Sequence, residues 1–242
     1  MKNDMIDPID PIDPIKKYEI MCYGDSNTWG TVARKSLHDP HLRHGREVRW
    51  PCILQDDLGD EYAVSEEGLG GRTTIYTANP KIPYKNGLVM YEGCALTHRP
   101  LDLIILMLGT NDLHMPEKLP AEELGTGIRK LTELTKDHPD WGPDEKKVPE
   151  ILLIAPPVVV PACPEGRTGV YAKFFGDYGG DLSRRFPEVY AKVAEEYGCH
   201  FLSSQEFTSP DLNDGVHLDA QSHIRLGHAV AQKVREIRAL GK

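Results

Sequence analysis

The 242-residue sequence contains no apolar run that approaches the ~18 residues required by a membrane-spanning helix. Its N-terminal stretch repeats Asp-Pro-Ile three times up to Ile15 and lacks the continuous apolar core of a signal peptide. We therefore expect neither a membrane anchor nor a secretory leader. Each proline disfavours helix at the residue before it, so residues 1–16 are predicted to form an extended arm, either disordered or packed against another subunit.

Cysteine is scarce, and its number and spacing argue against two kinds of cysteine-based structure. The five cysteines are odd in number, scattered and free of C-x-x-C spacing, which argues against a disulfide framework and a structural zinc site. They are Cys22, Cys52, Cys94, Cys163 and Cys199. Reduced thiols are typical of the cytoplasm, where we expect the protein to reside.

An excess of positive charge is also absent. Lysine and arginine number 28 against 37 aspartates and glutamates, which gives a formal net charge of −9. Such a surface repels phosphate backbones and anionic lipids, so we expect neither nucleic acid nor membranes as partners. The glycine-rich motifs that cradle nucleotide phosphates are missing after the first predicted strand, which argues against a nucleotide-binding module.

Short, near-continuous apolar runs are present and predict strands covered on both faces of a parallel sheet. The predicted strands are residues 18–23, 62–65, 101–108, 151–155 and 199–202. Helical periodicity lies between them, at residues 50–58, 122–136, 187–197 and from Asp219, a good N-cap, onward. This alternation predicts β-α-β crossovers, so we expect residues 17–242 to form a single three-layer α/β/α domain. Long loops are predicted at about 31–47, 75–91 and 158–181, where functional walls or interfaces often lie.

Polar segments follow the predicted strands, at the edge where parallel α/β sheets bind ligands. Residues 24–30 follow the first strand, 67–74 the second and 109–112 the third, while 214–219 precede the last helix. The fold is expected to bring these distant segments to one edge of the sheet.

The residue types in these segments indicate nucleophilic catalysis. Ser26 lies where a strand turns into a helix, and a serine hydroxyl needs a base to become a nucleophile. His217 is the candidate base because imidazole titrates near neutral pH, and Asp214 could fix its tautomer. The backbone amides of Ser26 and Gly71 and the side-chain amide of Asn111 could donate hydrogen bonds to an acyl oxygen.

Each of these residues also has a structural interpretation. Ser26 could be a helix N-cap, and Asn111 could bond its own backbone in a turn. Asp214 could belong to a turn only, and His217 could be a satisfied structural histidine. A non-catalytic interaction protein would not need all of these groups together, so their combination favours an enzyme.

In order and approximate spacing, four blocks resemble the SGNH (GDSL-type) hydrolase family. They are Gly24-Asp25-Ser26, the Gly70-Gly71 turn, Gly109-Thr110-Asn111-Asp112 and Asp214-x-x-His217. The resemblance spans roughly residues 18–240 and implies a flavodoxin-like α/β/α fold with a five-stranded parallel sheet. It implies family roles for Ser26, Gly71, Asn111 and His217, with Asp214 completing the catalytic triad.

A narrower resemblance is to the bacterial arylesterase/acyltransferase branch. It is carried by Gly-Asp-Ser-x-Thr-Trp-Gly, Val48-Arg49-Trp50, Glu67-Gly68-Leu69, Arg72-Thr73-Thr74 and Leu108-Gly109-Thr110-Asn111-Asp112. It implies an esterase for small acetyl-type esters of an aryl, alkyl or sugar alcohol, with acyl transfer or perhydrolysis as alternatives. It also implies a homo-oligomer, with an octamer as one form, and no metal or organic cofactor. Trp29 is expected to bound a small acyl pocket, although it could instead lie in the core.

Several neighbouring residues have predicted structural roles. The name GDSL stands for the motif Gly-Asp-Ser-Leu, and Asn27 replaces its leucine. That position is not a catalytic one. Asp25 and Asp112 are expected to hold loops by hydrogen bonds. Arg72 could orient its own loop through a nearby glutamate, or it could face the substrate.

Histidines outside the blocks are expected to be structural or solvated. His38, His41 and His44 recur at a spacing of three, but Pro40 makes a helical metal-binding face awkward, so a solvated loop is predicted. On the last predicted helix, His223 and His228 are expected at the surface or an interface.

Overall fold

The computed structural model describes residues 16–114, 118–144, 146–161 and 169–241. In chain order its strands and α-helices are β1 (Tyr18–Gly24), α1 (Ser26–Trp29), α2 (Trp50–Leu58), β2 (Tyr62–Gly68), α3 (Gly87–His98), β3 (Leu103–Met107), α4 (Thr126–Lys136), β4 (Glu150–Ala155), α5 (Gly176–Arg184), α6 (Phe186–Tyr197), β5 (His200–Ser203) and α7 (Ala220–Leu240). All five predicted strands are present, with boundaries within a few residues of those expected.

The five strands form one parallel sheet in the order β2-β1-β3-β4-β5. Gly24 at the end of β1 pairs with Gly68 of β2 on one side and with Met107 of β3 on the other. The carboxyl ends of three adjacent strands are therefore level, and the polar segments that follow them begin at the same edge.

Helices cover both faces of the sheet. Side chains of β1 alternate, so Ile20 and Cys22 enter a core with α2 and α7, whereas Met21 and Tyr23 enter a core with α3, α4 and α6. Both cores are built from buried, mostly aliphatic and aromatic side chains, whose removal from water is the main stabilising contribution. The predicted three-layer α/β/α architecture is confirmed.

The predicted loops and one predicted helix differ from the structure. Helix α3 occupies the end of the loop predicted at 75–91, and α5 begins inside the loop predicted at 158–181. The helix predicted at 122–136 is divided, because Gly125 has a φ of +95° between a short 3₁₀ helix and α4. Left-handed backbone ends a regular helix and favours glycine.

Residues 1–15 of the predicted arm, and Cys163, lie outside the described residues. The division into an arm and a single domain of residues 17–242 therefore stays a prediction. Within the ranges given above, no helix is both long enough and apolar enough to cross a membrane.

Candidate active site

The turn between β1 and α1 places Ser26 at the carboxyl edge of the sheet. Asp25 caps α1, and its carboxylate accepts a hydrogen bond from the Asn27 N–H at 2.9 Å. The end of β2 passes close beneath this turn, since a Cβ on Gly68 would lie 2.2 Å from the backbone nitrogen of Trp29. Glycine at position 68 therefore allows the second strand to support the turn that carries Ser26.

His217 reaches Ser26 from the segment between β5 and α7. Its Nε2 lies 2.9 Å from Ser26 Oγ, although 191 residues separate the two along the chain. Its Nδ1 lies 2.6 Å from Asp214 Oδ2. Ser26 and His217 are 8% and 7% exposed, and Asp214 is fully buried. The three side chains singled out from the sequence thus form one hydrogen-bonded line.

The carboxylate of Asp214 is held by backbone donors as well as by the imidazole. Its Oδ1 accepts the N–H groups of Val216 and His217, both at 2.9 Å, and its Oδ2 accepts the N–H of Arg34 at 3.3 Å. Burial alone would raise the pKa of Asp214, but hydrogen bonds and attraction from His217 hold that pKa below its usual value. The group is therefore fixed as a carboxylate facing the histidine.

Asn27 ties the serine turn to the histidine segment. Its Oδ1 accepts the N–H of Leu218 at 3.0 Å, and its Nδ2 donates to the carbonyl oxygen of Val216 at 3.3 Å. These two bonds flank His217 in sequence. Asn27, which replaces the leucine of the Gly-Asp-Ser-Leu motif, therefore helps to fix the distance between Ser26 and His217.

Hydrogen-bond donors surround the serine. Asn111 Nδ2 donates to the carbonyl oxygen of Arg72 at 3.0 Å and lies 3.5 Å from Asp25 Oδ2. Gly71 has a φ of +76°, a conformation that favours glycine. In the described part of the chain, no acceptor takes the backbone N–H of Ser26 or of Gly71. Two free amides, and a carboxamide whose second contact is long, therefore belong to residues that line one cavity, which is described below.

Two buried carboxyls support the donor loops, as expected. Asp112 accepts from the backbone N–H and the hydroxyl of Thr74 at 2.8 and 2.6 Å, which joins the segments after β2 and β3. Burial raises the pKa of Asp25 to about 6 and that of Asp112 to about 7. Both carboxyl groups have a structural role, because neither Asp25 nor Asp112 lines the cavity described next.

A cavity of about 510 Å³ opens at Ser26 and His217. A volume of this order is typical of small-molecule sites. Its walls are formed by Ser26, Trp29, Thr31, His41, Leu69, Gly70, Gly71, Lys85, Asn111, His114, Tyr171, Phe174, Phe175, Val216 and His217. Trp29 therefore lies in the wall and not in the core, and all the donor residues share the cavity with the Ser26–His217 pair.

The aromatic wall was not predicted from the sequence. Tyr171 meets the His217 ring edge-on, with ring centroids 5.5 Å apart, and the Arg34 guanidinium lies 4.8 Å from the centre of the Tyr171 ring. Phe174 and Phe175 pack against His114 at 5.5 and 5.3 Å. Tyr171, Phe174 and Phe175 belong to the loop predicted at 158–181, where no periodicity indicates the direction of a side chain.

His223 differs from its expected placement, and Arg72 orients its own loop, the first of its two predicted alternatives. His223 is fully buried instead of exposed, its ring lies 5.2 Å from that of His44, and burial lowers its pKa to about 3. Arg72 is buried and donates to the carbonyl oxygens of Gly24 and Glu67, so it orients its loop through the backbone and not through a carboxylate. His228 is exposed, as expected, and contacts Asp57.

Comparisons with known proteins agree with this geometry. The sequence model of the GDSL-like lipase/acylhydrolase family matches residues 22–225. A carbohydrate acetylesterase from Sinorhizobium meliloti shares 34% identity, with 91% of this chain and 100% of that chain covered and a TM-score of 0.79. The native aryl esterase of M. smegmatis shares 32% identity, with 90% and 98% covered and a TM-score of 0.78. The comparison with curated proteins gives no match.

The family match covers most of the chain, and both similar structures exceed 30% identity over nearly their whole length. The five parallel strands and three layers are those expected of an SGNH hydrolase. The chain therefore belongs to the GDSL-like lipase/acylhydrolase family and is a carboxylic ester hydrolase.

Proposed function

We propose that the protein is a serine esterase for short-chain esters, with Ser26 as nucleophile, His217 as general base and Asp214 as the group that orients the histidine. The observation that carries the proposal is the line of contacts, 2.6 and 2.9 Å long, from Asp214 through His217 to Ser26 in the cavity wall. A base at this distance can remove the proton that otherwise makes serine a weak nucleophile.

The reaction proceeds in two steps. His217 Nε2 accepts the Ser26 proton while Oγ attacks the ester carbonyl, and the same proton then passes to the departing alcohol. The acyl group remains on Ser26 until water, activated by the imidazole, releases it as the acid. The scheme requires no metal or organic cofactor.

The negative charge that develops on the acyl oxygen is assigned to three donors: the backbone N–H groups of Ser26 and Gly71 and the carboxamide of Asn111. Support comes from the two amides that lack an acceptor among the described residues. The 3.5 Å contact from Asn111 to Asp25 is at the limit of hydrogen bonding, so that proton can be redirected to an oxyanion at little cost.

Asn111→Ala is expected to lower kcat for 4-nitrophenyl acetate by about 10²–10³-fold, because one oxyanion donor is lost. The matched control is Asn79→Ala, since Asn79 caps a turn at the Lys81 N–H outside the cavity. Steady-state kinetics and thermal unfolding check both variants. A folded Asn111→Ala protein with the kcat of the control would remove Asn111 from this role.

The proposed substrates are acetyl-type esters of aryl, alkyl or sugar alcohols. Trp29 stands beside Ser26 in the cavity wall and would limit acyl length, while Tyr171, Phe174 and Phe175 offer aromatic surface for an alcohol ring. The similar solved structures include a carbohydrate acetylesterase and an aryl esterase. A panel of aryl acetates, acetylated sugars and longer acyl esters tests this. A higher kcat/KM for octanoyl than for acetyl esters would exclude the short-acyl assignment.

Acyl transfer or perhydrolysis is the second candidate activity, and it would use the same acyl-enzyme. The aromatic ring of Tyr171 beside His217 supports it, because an apolar alcohol that packs on this ring could occupy the place of the attacking water. Product analysis with added benzyl alcohol distinguishes the two. Acetate alone would assign the enzyme to hydrolysis, whereas benzyl acetate would demonstrate transfer.

A fluorophosphonate reagent is expected to label the protein once, on Ser26, because only an activated serine attacks phosphorus quickly. Ser65→Ala is the matched control, since Ser65 Oγ also contacts a histidine, His98, at 3.2 Å but lies outside the cavity lining. Peptide mass spectrometry locates the label. It should persist in Ser65→Ala and vanish in Ser26→Ala, and labelling of any other serine would contradict the assignment.

We also propose a homo-oligomer, with an octamer as one form. Helix α3 supports this because Val89, Met90 and Leu96 are 59%, 38% and 40% exposed, an apolar surface of the kind found at interfaces. Static light scattering that gave the mass of one chain would contradict it.

The cytoplasmic location is likewise a proposal. It is supported by the free thiols of the described cysteines, Cys22, Cys52, Cys94 and Cys199. A disulfide in protein isolated from its native cells would contradict it.

A further inference from the structure

A single cationic side chain stands out in the cavity wall. Lys85 lines the cavity with Ser26, Gly70 and Gly71, and the described lining contains no arginine, aspartate or glutamate. In the described part of the chain no carboxylate lies within 4.0 Å of its Nζ. The chain as a whole carries a net charge of −9, so this local positive charge opposes the general field of the protein.

The ammonium group lies next to the segment that surrounds the reacting carbonyl in the proposed mechanism. A Cβ built on Gly71 would lie 2.9 Å from Lys85 Nζ, so the charged end of the side chain is directly over Gly71. Lys85 itself is half-buried. A charge that is partly removed from water and lacks an anionic partner attracts one more strongly than an exposed lysine does.

The backbone holds Lys85 in this place. It ends a short 3₁₀ helix, Pro83–Lys85, and its carbonyl oxygen accepts from the backbone N–H and the hydroxyl of Thr73 at 2.9 and 3.2 Å. Thr73 follows Gly71 by two residues, so Lys85 and the proposed oxyanion loop are parts of one hydrogen-bonded unit. The backbone of Lys85 is therefore fixed relative to the proposed oxyanion loop, which keeps its ammonium group within reach of Gly71.

We propose that Lys85 is a specificity residue that binds a carboxylate of the substrate, so that esters carrying a negative charge within a few bonds of the scissile carbonyl are preferred. This inference rests on the proposed esterase function and names a substrate class for the same cavity. The anion could belong to the acyl group, as in a dicarboxylic monoester, or to the alcohol, as in an acylated hydroxy acid. Both kinds of ester would require the positive charge of Lys85.

Two matched substrate pairs test the proposal in both positions. On the acyl side, monoethyl succinate is compared with its neutral isostere ethyl 4-methylpentanoate. On the alcohol side, 4-acetoxybenzoate is compared with methyl 4-acetoxybenzoate. The quantity measured is the ratio of kcat/KM for the anionic ester to that for the neutral ester. Lys85→Met, Lys85→Arg and the control Lys81→Met are assayed, since Lys81 is an exposed lysine of the same loop.

For at least one pair, Lys85→Met is expected to lower this ratio by about tenfold, the loss typical of one charge-assisted hydrogen bond. Lys85→Arg should keep most of the ratio, and Lys81→Met should keep all of it. In the wild-type enzyme, added salt should lower the ratio of the affected pair only slightly, because an ion pair at a half-buried site is screened much less than one between exposed charges.

The outcomes are distinct. Equal ratios in wild type, Lys85→Met and Lys81→Met for both pairs would overturn the proposal. So would a loss in Lys85→Met that is equal for anionic and neutral esters, since that would make Lys85 an oxyanion donor or a structural residue. If Ser26→Ala keeps the activity on either ester, the esterase assignment fails instead. The substrate pair whose ratio falls in Lys85→Met identifies whether the acyl or the alcohol part of the substrate bears the charge.

Discussion

Replacement of Ser26 by alanine is expected to lower kcat for 4-nitrophenyl acetate by roughly a million-fold, the scale seen when a serine nucleophile is removed. The hydroxyl is the only oxygen that His217 Nε2 contacts among the described residues, at 2.9 Å, so no neighbouring side chain is placed to replace it. Burst kinetics should also disappear, because no acyl-enzyme can form. The fold should persist, since alanine is smaller than serine and Ser26 Oγ contacts only His217 among the described residues.

His217→Ala should cost about as much as Ser26→Ala, and the double variant should be no slower than either single variant. Both residues act in one proton transfer, so removing either removes the whole step. An additive loss would mean that the two residues act in separate steps. This non-additivity distinguishes a functional pair from two residues that only lie close together.

Ser65→Ala is the control for both variants, because it removes the hydroxyl of another Ser–His contact, at 3.2 Å, without touching the cavity lining. Its activity should remain close to that of the wild type. Mass spectrometry of each preparation excludes contamination by wild-type enzyme. A pure, folded Ser26→Ala protein with activity near that of Ser65→Ala would contradict the assignment of the nucleophile.

The strands and the chemistry of the site could be predicted from the sequence because both follow from local patterns. A strand buried on both faces needs a near-continuous apolar run, and its end in a parallel sheet lies where ligands bind. Ser26, Asn111 and His217 could therefore be placed at one edge before any distance was known. The local sequence pattern could not predict the hydrogen bonds of Asn27, since its partners Val216 and Leu218 lie 189 and 191 residues away along the chain.

Helices α3 and α5 were missed for physical reasons. Apolar residues lie on all sides of α3, so its sequence shows no 3.6-residue period, and it begins directly after a segment with Pro80 and Pro83. Helix α5 contains Gly176, Gly179 and Gly180, which weaken helix propensity and are typical of loops. Tertiary packing decides both elements.

His223 is the residue whose position the sequence did indicate. It precedes Leu226 by three residues and Val230 by seven, a spacing that places all three on one face of α7. Leu226 and Val230 are buried in the core that α2 and α7 form with the sheet, and His223 on the same helix is also buried. The prediction of a histidine at the surface or an interface gave more weight to residue type than to periodicity.

Asp214→Asn is expected to lower kcat by about 10⁴-fold, because the amide would hold the wrong tautomer of His217. Oδ1 can still accept the N–H groups of Val216 and His217, which leaves the amide nitrogen facing His217 Nδ1. That nitrogen can only donate, so Nδ1 becomes the acceptor and the ring proton moves to Nε2. A protonated Nε2 cannot take the proton of Ser26. Steady-state kinetics with 4-nitrophenyl acetate measures the loss.

The same change should destabilise the fold in a pH-dependent way. The N–H of Arg34 loses its acceptor, which costs about 1–3 kcal/mol of unfolding free energy when the group is buried. In the wild type the pKa of Asp214 is held below its unfolded value of about 3.9, so its contribution is complete above that pH and is lost as the pH falls through the folded pKa. The stability difference between wild type and variant should therefore be constant near neutrality and shrink in acid.

Asp211→Asn is the control for Asp214→Asn, because Asp211 lies in the same turn and its carboxylate accepts the Asn213 N–H at 2.8 Å without contacting His217. Urea denaturation at a series of pH values gives the free energies of unfolding, and kinetics on the same samples gives kcat. Asp211→Asn should keep the wild-type rate. If Asp214→Asn were only as slow as Asp211→Asn while still losing stability, Asp214 would be a structural carboxylate, and the orientation of His217 would depend on the Asn27 and Tyr171 contacts alone.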